Sequence, residues 1–478
     1  MTSSALQRAE ELPHTSIAPV PPERRVLTGV DLAILWGDLG IGLLVLVTGA
    51  LLVPGLGFAA ALGAIVVGSV IGVAMLALAG YIGARHGVPT MVLFRPVLGI
   101  RGSWFPSILN ALQLIGWTAV EFWAMSSVFD IVVRHVFGFS ARPLWLAVTA
   151  VACTALALWG PVGVARVYMR RFGAWLIVLI GLVVTGLVIA SGGIGAALSA
   201  PGKGGFPTFG AAVDLVISMP VSWLPLVADY NRFARRPTSA LAGTWWGYLV
   251  ANIWLYGLGV LLVLGAGAAP SPAGIAAAIL SIAGGSVAGI VFLVGLLVGE
   301  TDEAFADMYS GAVSLQNVFP RFGHRTLVVS IAALAGVLAG FLTMGSYETF
   351  LFLLGSVFVP LFGVLAAEYF FGRSPLVSED ELFDRSGRYW FSGGWRLASF
   401  VPWVVGFLVY HWIAPTGPSW WVNLAGHVFG TPLSIRYPWL AASVPSFLAA
   451  FVLGVAASRS GSGRISSVRS GRAETGTE

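Results

Sequence analysis

Four carboxylates crowd one short stretch, Gly299–Asp307, which reads Gly-Glu-Thr-Asp-Glu-Ala-Phe-Ala-Asp. They are Glu300, Asp302, Glu303 and Asp307, in a chain with only 21 acids among 478 residues. The apolar run before them, Val287 to Val298, is too short to cross a bilayer, which takes about 20 residues. One continuous helix from Val287 to about Phe319, stopped by Pro320, would cross and would carry the acids near its middle. A central charged side chain costs roughly 2.5–3.5 kcal/mol on insertion scales, so such residues face a cavity or a partner. At helical spacing Glu300, Glu303 and Asp307 share a face, with Asp302 turned aside. That chemistry is cation or proton binding inside a transporter; the alternative is a water-exposed helix end.

A second constellation suits a flat ring. In Asn110-Ala-Leu-Gln-Leu-Ile-Gly-Trp-Thr-Ala-Val-Glu121, Trp117 and Glu121 are four apart and share a helix face. An indole is a stacking platform, and a carboxyl beside it can pair with a ring nitrogen and its neighbouring amine, as an amino-heterocycle requires. Asn110 and Gln113 add amides nearby. An interfacial tryptophan and a helix–helix hydrogen bond are the plainer roles for this set.

These groups need apolar elements to hold them, and the composition supplies little else. Hydrophobic residues make up 57% and charged residues 10%, whereas a soluble domain carries about 25% charge. The chain therefore reads as an all-α polytopic membrane protein. Twelve spans fall near 31–53, 58–82, 104–133, 143–165, 172–191, 209–230, 240–268, 286–318, 326–343, 349–371, 390–413 and 437–457. With the N-terminus placed inside, 21 of the 26 basic residues collect in cytoplasmic loops and termini. Arg134, Arg142, Lys203 and Arg436 lie outside, and Arg396 is ambiguous. This positive-inside bias predicts both termini in the cytoplasm. Residues 1–25 and 458–478 read as disordered. Residues 26–375 form the core of spans one to ten, 376–457 hold spans eleven and twelve, and Pro270–Ala283 reads as an external loop with a short helix.

Two spans are interrupted alike. The first contains Trp36-Gly-Asp-Leu-Gly-Ile-Gly42, where glycines and an acid weaken the helix at mid-membrane. The sixth contains Ser218-Met-Pro-Val-Ser-Trp-Leu-Pro225, where two prolines remove backbone donors. Each opens a five-span block, about 31–191 and 209–371. Matched broken helices point to a transporter's central site, where unwound carbonyls meet cations and half-helix ends meet substrate.

Other chemistries lack support. Histidines show no metal spacing, no nucleophile–His–acid set emerges, and Gly202–Gly205 lacks the context of a phosphate cradle. The single cysteine, Cys153, excludes a disulfide framework. Loop placement of the basic residues reports topology rather than a nucleic-acid partner, so neither an enzyme nor a nucleic-acid binder is expected.

The run Gly80-Tyr-Ile-Gly-Ala-Arg-His-Gly-Val-Pro-Thr90, with Leu-Gly-Ile-Arg-Gly-Ser-Trp-Phe-Pro ending at Pro106, resembles the span two–three signature of the nucleobase–cation symporter-1 (purine-cytosine permease) family. Ala228-Asp-Tyr-Asn-Arg-Phe233, Met308-Tyr-Ser310 and Gln316-Asn317 match later landmarks, and cytosine and hydroxymethylpyrimidine carriers are the most similar branch. The resemblance implies a LeuT-like fold with two inverted five-span repeats and two extra helices. It also implies import of a nucleobase-like ring across the inner membrane with Na+ or H+, and no cofactor. Carried over by position, Trp117 would stack on the ring, Glu121 would hydrogen-bond it, and Met219, Pro220, Ser222 and Trp223 would line the other wall. The family's Na+ site falls near Asp38 and Ile41 of span one and Gly299, Asp302 and Glu303 of span eight. Acids at 302 and 303 depart from the family's hydroxyl residues. Either Thr301 is the hydroxyl ligand, or Asp38, Asp302 and Glu303 bind Na+ more tightly or take a proton instead. A purine, allantoin or hydantoin symporter of the same family and a passive facilitator are the alternatives.

Overall fold

Apolar segments this long can satisfy their backbone in lipid only as helices, and helices dominate the computed structural model, which describes residues 17–159, 174–372 and 379–460. Every stretch expected to span holds helix within its described residues. Span one is α1 (Gly29–Asp38) and α2 (Leu43–Leu51), bent by 59° at the break between them. Spans two to five are α3 (Phe58–His86), α4 (Trp104–Phe137), α5 (Arg142–Trp159) and α6 (Ala174–Ala190). Span six is α7 (Phe209–Trp223) and α8 (Val227–Asn231), and span seven is α9 (Pro237–Ala266). The short helix expected outside is α10 (Pro272–Ile282), and the acid-bearing span eight runs unbroken as α11 (Val287–Val318). Then follow α12 (His324–Ala339), α13 (Met344–Phe371), α14 (Phe400–Ile413) and α15 (Ser443–Ser460).

Local chemistry explains where the two broken spans stop. The start of α1 is closed by Thr28 and Asp31, each accepting the other's backbone N–H, at 3.2 and 2.9 Å. Its end comes at Leu39, and glycines at 40 and 42 carry the chain through an extended turn into α2. In span six the break falls later than expected, at Leu224 to Leu226, and Pro220 sits inside an intact helix. A proline at 220 strips the carbonyl of Val216 of its helical partner. The Tyr256 hydroxyl of α9 donates to that carbonyl at 3.3 Å, so the helix continues to Trp223.

The halves of the broken spans that lie toward the N-terminal segment are joined. Leu27 N–H donates to the Phe233 carbonyl and Arg235 N–H to the Leu27 carbonyl, both at 2.9 Å. Deeper in, the Trp36 indole donates to Asn231 Oδ1 at 2.8 Å. α1 is thus fastened, before its start and near its end, to the last residue of α8 and the residues that follow it.

Two expectations at the periphery change. Residues 17–25 are docked rather than loose: Ile17 and Val20 are buried, Val20 N–H donates to the Gly87 carbonyl at 2.8 Å, and Arg25 Nε donates to the Val20 carbonyl at 3.0 Å. Residues 1–16, 461–478 and the arginines at 166, 170 and 171 lie outside the described residues. The eleventh helix begins at Phe400, not near 390. The residues before it fold into turns, because the Gly394 carbonyl accepts the N–H groups of Arg101 and Gly102 at 2.8 and 3.0 Å and pins that loop to the span two–three turn. Arg396, ambiguous by sequence, pairs with Glu368 at 3.0 Å and donates to the Pro96 carbonyl at 3.4 Å. It therefore lies with the loop that carries Arg95 and Arg101.

Candidate functional site

Three elements converge at mid-chain depth: the break of span one, the middle of α4 and the acid stretch of α11. All four acids of that stretch are buried, Glu300 at 1% exposure and Glu303 at 5%. Asp38 and Glu121 are buried with them. Among the described residues no basic side chain forms an ion pair with any of these six; pairs such as Arg25–Glu379, Arg388–Glu381 and Arg396–Glu368 lie elsewhere.

The acids fall into two groups. In the first, Asp38 of α1 faces Asp302 of α11. No donor among the described residues reaches either Asp38 oxygen, and Asp302 Oδ2 is likewise without a donor. In the second, Glu121, Glu300 and Glu303 bring one carboxylate oxygen each to within 4.8 Å of one another. Glu300 also caps α2, its Oε1 accepting the Leu43 N–H at 2.5 Å. A helix N-terminus inside lipid has unpaired donors and a partial positive charge, and an acid on the facing helix answers both. Gly42 is what permits this approach, since a Cβ there would overlap Glu303 Oε1 and crowd Glu300 Oε1.

The break itself leaves oxygens free. Ile41 N–H donates to the Asp38 carbonyl at 2.9 Å, whereas the carbonyls of Leu39, Gly40 and Ile41 accept no hydrogen bond among the described residues. Gly299 is buried on α11, next in sequence to Glu300. Thr301 is not part of this group: it is only half-buried, and its hydroxyl donates back to the Val298 carbonyl at 2.7 Å. An apolar cavity of about 790 Å³ runs between α1, α6 and α9, with Asp38 and Ile41 in its lining and Thr28 and Ser239 at its other end. It does not reach Trp117 or Glu121.

On α4, Trp117 is 6% exposed and stands edge-on to Phe350 at 5.3 Å and to Tyr347 at 6.2 Å, both from α13. Among the described residues its Nε1 has no partner, and neither does Glu121 Oε2. Asn110 and Gln113 serve the span-six break rather than an open ring site. Gln113 Nε2 donates to the Ser222 carbonyl at 2.9 Å and to Asn110 Oδ1 at 2.7 Å; Asn110 Nδ2 donates to Ser314 Oγ at 2.7 Å and reaches the Pro225 carbonyl at 3.5 Å. Carbonyls released by unwinding are thus taken up by α4 amides, while Gln113 Oε1 stays buried and unpartnered.

The opposite wall is more mixed than expected. Met219 Sδ receives the Tyr347 hydroxyl at 3.7 Å, and that hydroxyl also meets Thr48 Oγ1 at 2.7 Å. Trp223 packs edge-on against Trp36, centroids 6.2 Å apart. Pro220, however, packs its ring on Gly72 of α3, and the Ser222 hydroxyl is turned back on the Met219 carbonyl at 2.6 Å. Tyr347 and Phe350 were not legible as site residues, since an aromatic on span ten carries no local mark of its neighbours.

Two broken helices around buried, uncompensated acids define a helical membrane transporter. The family model described as permease for cytosine/purines, uracil, thiamine and allantoin matches residues 19–458, and the chain belongs to that family, the nucleobase–cation symporter-1 permeases. Its members are permeases, not enzymes. The allantoin permease of Bacillus subtilis (strain 168) is 24% identical, covering 84% of this chain and 87% of the relative. The hydantoin permease of Microbacterium maritypicum is 25% identical over 84% of each chain, and the cytosine permease of Escherichia coli (strain K12) is 25% identical over 62% of this chain and 66% of its own. Among solved structures, Mhp1, a transporter of the same family, in a closed conformation with bromovinylhydantoin bound, gives a TM-score of 0.76 at 22% identity over 93% of this chain and 95% of that one. Its inward-facing form gives 0.77 at 21%, over 93% of each. The fold is therefore the LeuT-like arrangement of two inverted five-span repeats with additional helices.

Proposed function

We propose that this permease imports an aminopyrimidine, cytosine or hydroxymethylpyrimidine, by cation symport across the inner (plasma) membrane, with both termini cytoplasmic. The observation that carries the reading is the buried Glu121 carboxyl, one turn from the Trp117 indole, with an oxygen that no group among the described residues satisfies. A buried acceptor left without a donor costs about 1–3 kcal/mol or more, and an amine beside a ring nitrogen supplies that donor. Uracil presents no such amine. Trp117 would provide the stacking face, with Tyr347, Phe350 and Met219 enclosing it, and Asn110 and Gln113 would hold the adjacent break in shape.

Cation coupling is supported by the Asp38–Asp302 pair and by the free carbonyls of Leu39 to Ile41. Like charges this close in a buried site are stable only with a proton or a cation between them. Na+ or H+ entering there would tie α1 to α11. Since α1 is fastened to α8 through Trp36 and Asn231, a cation that holds α1 also biases the far half of span six. A second reading, an allantoin or hydantoin symporter, is favoured by one fact: those two relatives align over 84% of the chain and the cytosine permease over 62%.

Symport requires accumulation. Cells expressing the protein are expected to concentrate labelled cytosine above the medium level, and an ionophore that collapses the Na+ and H+ gradients should return the ratio to one. Equilibration at one without ionophore would make the protein a passive facilitator.

A further inference from the structure

The two acid groups are separate, and only the Asp38–Asp302 pair coincides with the cation position proposed above. We propose that Glu121, Glu300 and Glu303 form a second cation site, which takes a hard cation such as Na+ or a divalent ion of the Ca2+ type and lies against the substrate position. The inference rests on the cation-coupled reading of the proposed function and adds a second bound ion to it.

The first support is geometric. Hard cations take oxygen ligands at about 2.0–2.6 Å, so oxygens on opposite sides of one ion stand roughly 4–5 Å apart. The three carboxylate oxygens lie within 4.8 Å of one another, and an all-oxygen set matches that class of ion. The second is a census of donors. Glu121 and Glu300 are each 1% exposed, and each keeps one oxygen, Oε2, with no partner. The Leu43 N–H is the one backbone donor that reaches the triad among the described residues, and it is spent on Glu300 Oε1. Carboxylates accept and cannot donate when ionised, so the ionised triad needs a positive partner, which no basic side chain among the described residues provides. The third is the close approach of a third element. With glycine at 42, the backbone of the span-one break comes directly against Glu303 and Glu300, where a Cβ would overlap Glu303 Oε1.

One ion here would touch three spans at once: α4 through Glu121, α11 through Glu300 and Glu303, and the start of α2 through Glu300. Because Glu121 also faces the ring position, binding of this ion and of the ring would be mutually dependent through a shared ligand.

The test is the number of cations bound by the purified full chain in detergent, read with radiolabelled sodium in one arm and radiolabelled calcium in another. The wild type is expected to bind two equivalents in all. Glu300→Gln, whose amide oxygen still accepts the Leu43 N–H, should bind one; Asp302→Asn should bind one; the double variant should bind none. Loss of the sodium or of the calcium equivalent in Glu300→Gln identifies which ion the triad takes, and either supports the site. If Glu300→Gln fails to fold, as judged by size-exclusion chromatography, Glu121→Gln serves in its place, and the wild-type count of two remains decisive. A wild type that binds one equivalent, removed by Asp302→Asn and kept by Glu300→Gln, would overturn the second site alone. No bound sodium or calcium would overturn it together with metal-ion coupling at Asp38–Asp302.

Discussion

Trp117→Ala is expected to weaken ring binding by about 5- to 150-fold, the equivalent of the roughly 1–3 kcal/mol that one base–aromatic stack contributes. The number follows from position. Trp117 lies one turn from Glu121 on the same face of α4, and its ring meets Phe350 and Tyr347 at steep angles rather than in parallel stacks. Truncation also opens a cavity in a packed bundle, a change that costs about 3–5 kcal/mol in soluble cores. Trp117→Phe separates the two effects, since it keeps an aromatic face and most of the packing. Binding measured on purified protein should be weakened by Ala and largely restored by Phe, with Phe also keeping most of the thermal stability that Ala loses. Equal affinity in all three proteins would remove Trp117 from the site.

Glu121→Gln should reduce uptake of an aminopyrimidine by about 10- to 150-fold, the range for one hydrogen bond to a charged group, about 1.5–3 kcal/mol. The substitution preserves shape and leaves an oxygen acceptor, so expression and stability should change little. Its effect should depend on the ligand: larger for cytosine than for a ring without an amine beside a ring nitrogen, over whatever loss is common to all rings through the cation shared with Glu300 and Glu303. A uniform loss across rings would mean that Glu121 acts by holding Glu300 and Glu303 rather than by reading the substrate.

Much of this arrangement was legible in the sequence because it is local. Span eight reads as one helix from Val287 since no proline interrupts it before Pro320 and its glycines stand singly, and its acids are buried because lipid gives them nowhere else to go. The break in span one follows from Gly40 and Gly42, which have no side chain to hold a helix together. What depends on distant partners was not legible. Pro220 looks like a breaker, yet Tyr256, on another span, takes the carbonyl it frees. Asn110 and Gln113 look like recognition groups, yet they are drawn to the carbonyls of Ser222 and Pro225, whose release a sequence does not reveal. Thr301 is adjacent to two site acids, but one residue along a helix is about 100° of rotation, and that turns its hydroxyl away. The triad joins spans three and eight, so no spacing within either predicts it.

Residues 17–25 teach a related lesson. A polar, proline-containing segment reads as loose, but Arg25 ties it to the Val20 carbonyl and to the end of α3, where its guanidinium reaches the carbonyls of Arg85 and His86 at 3.4 Å. Helix C-termini present unpaired carbonyls, and a nearby arginine finds them whatever the local composition suggests.

The claim that a buried carboxyl beside an indole selects an amine-bearing ring is tested most directly by competition. Uptake of labelled cytosine would be measured against unlabelled cytosine, hydroxymethylpyrimidine, uracil, hypoxanthine, allantoin and hydantoin, with and without Na+. The account predicts that cytosine and hydroxymethylpyrimidine compete at concentrations at least tenfold below those needed for uracil, allantoin or hydantoin. Competition by allantoin or hydantoin at lower concentrations than either aminopyrimidine would contradict it.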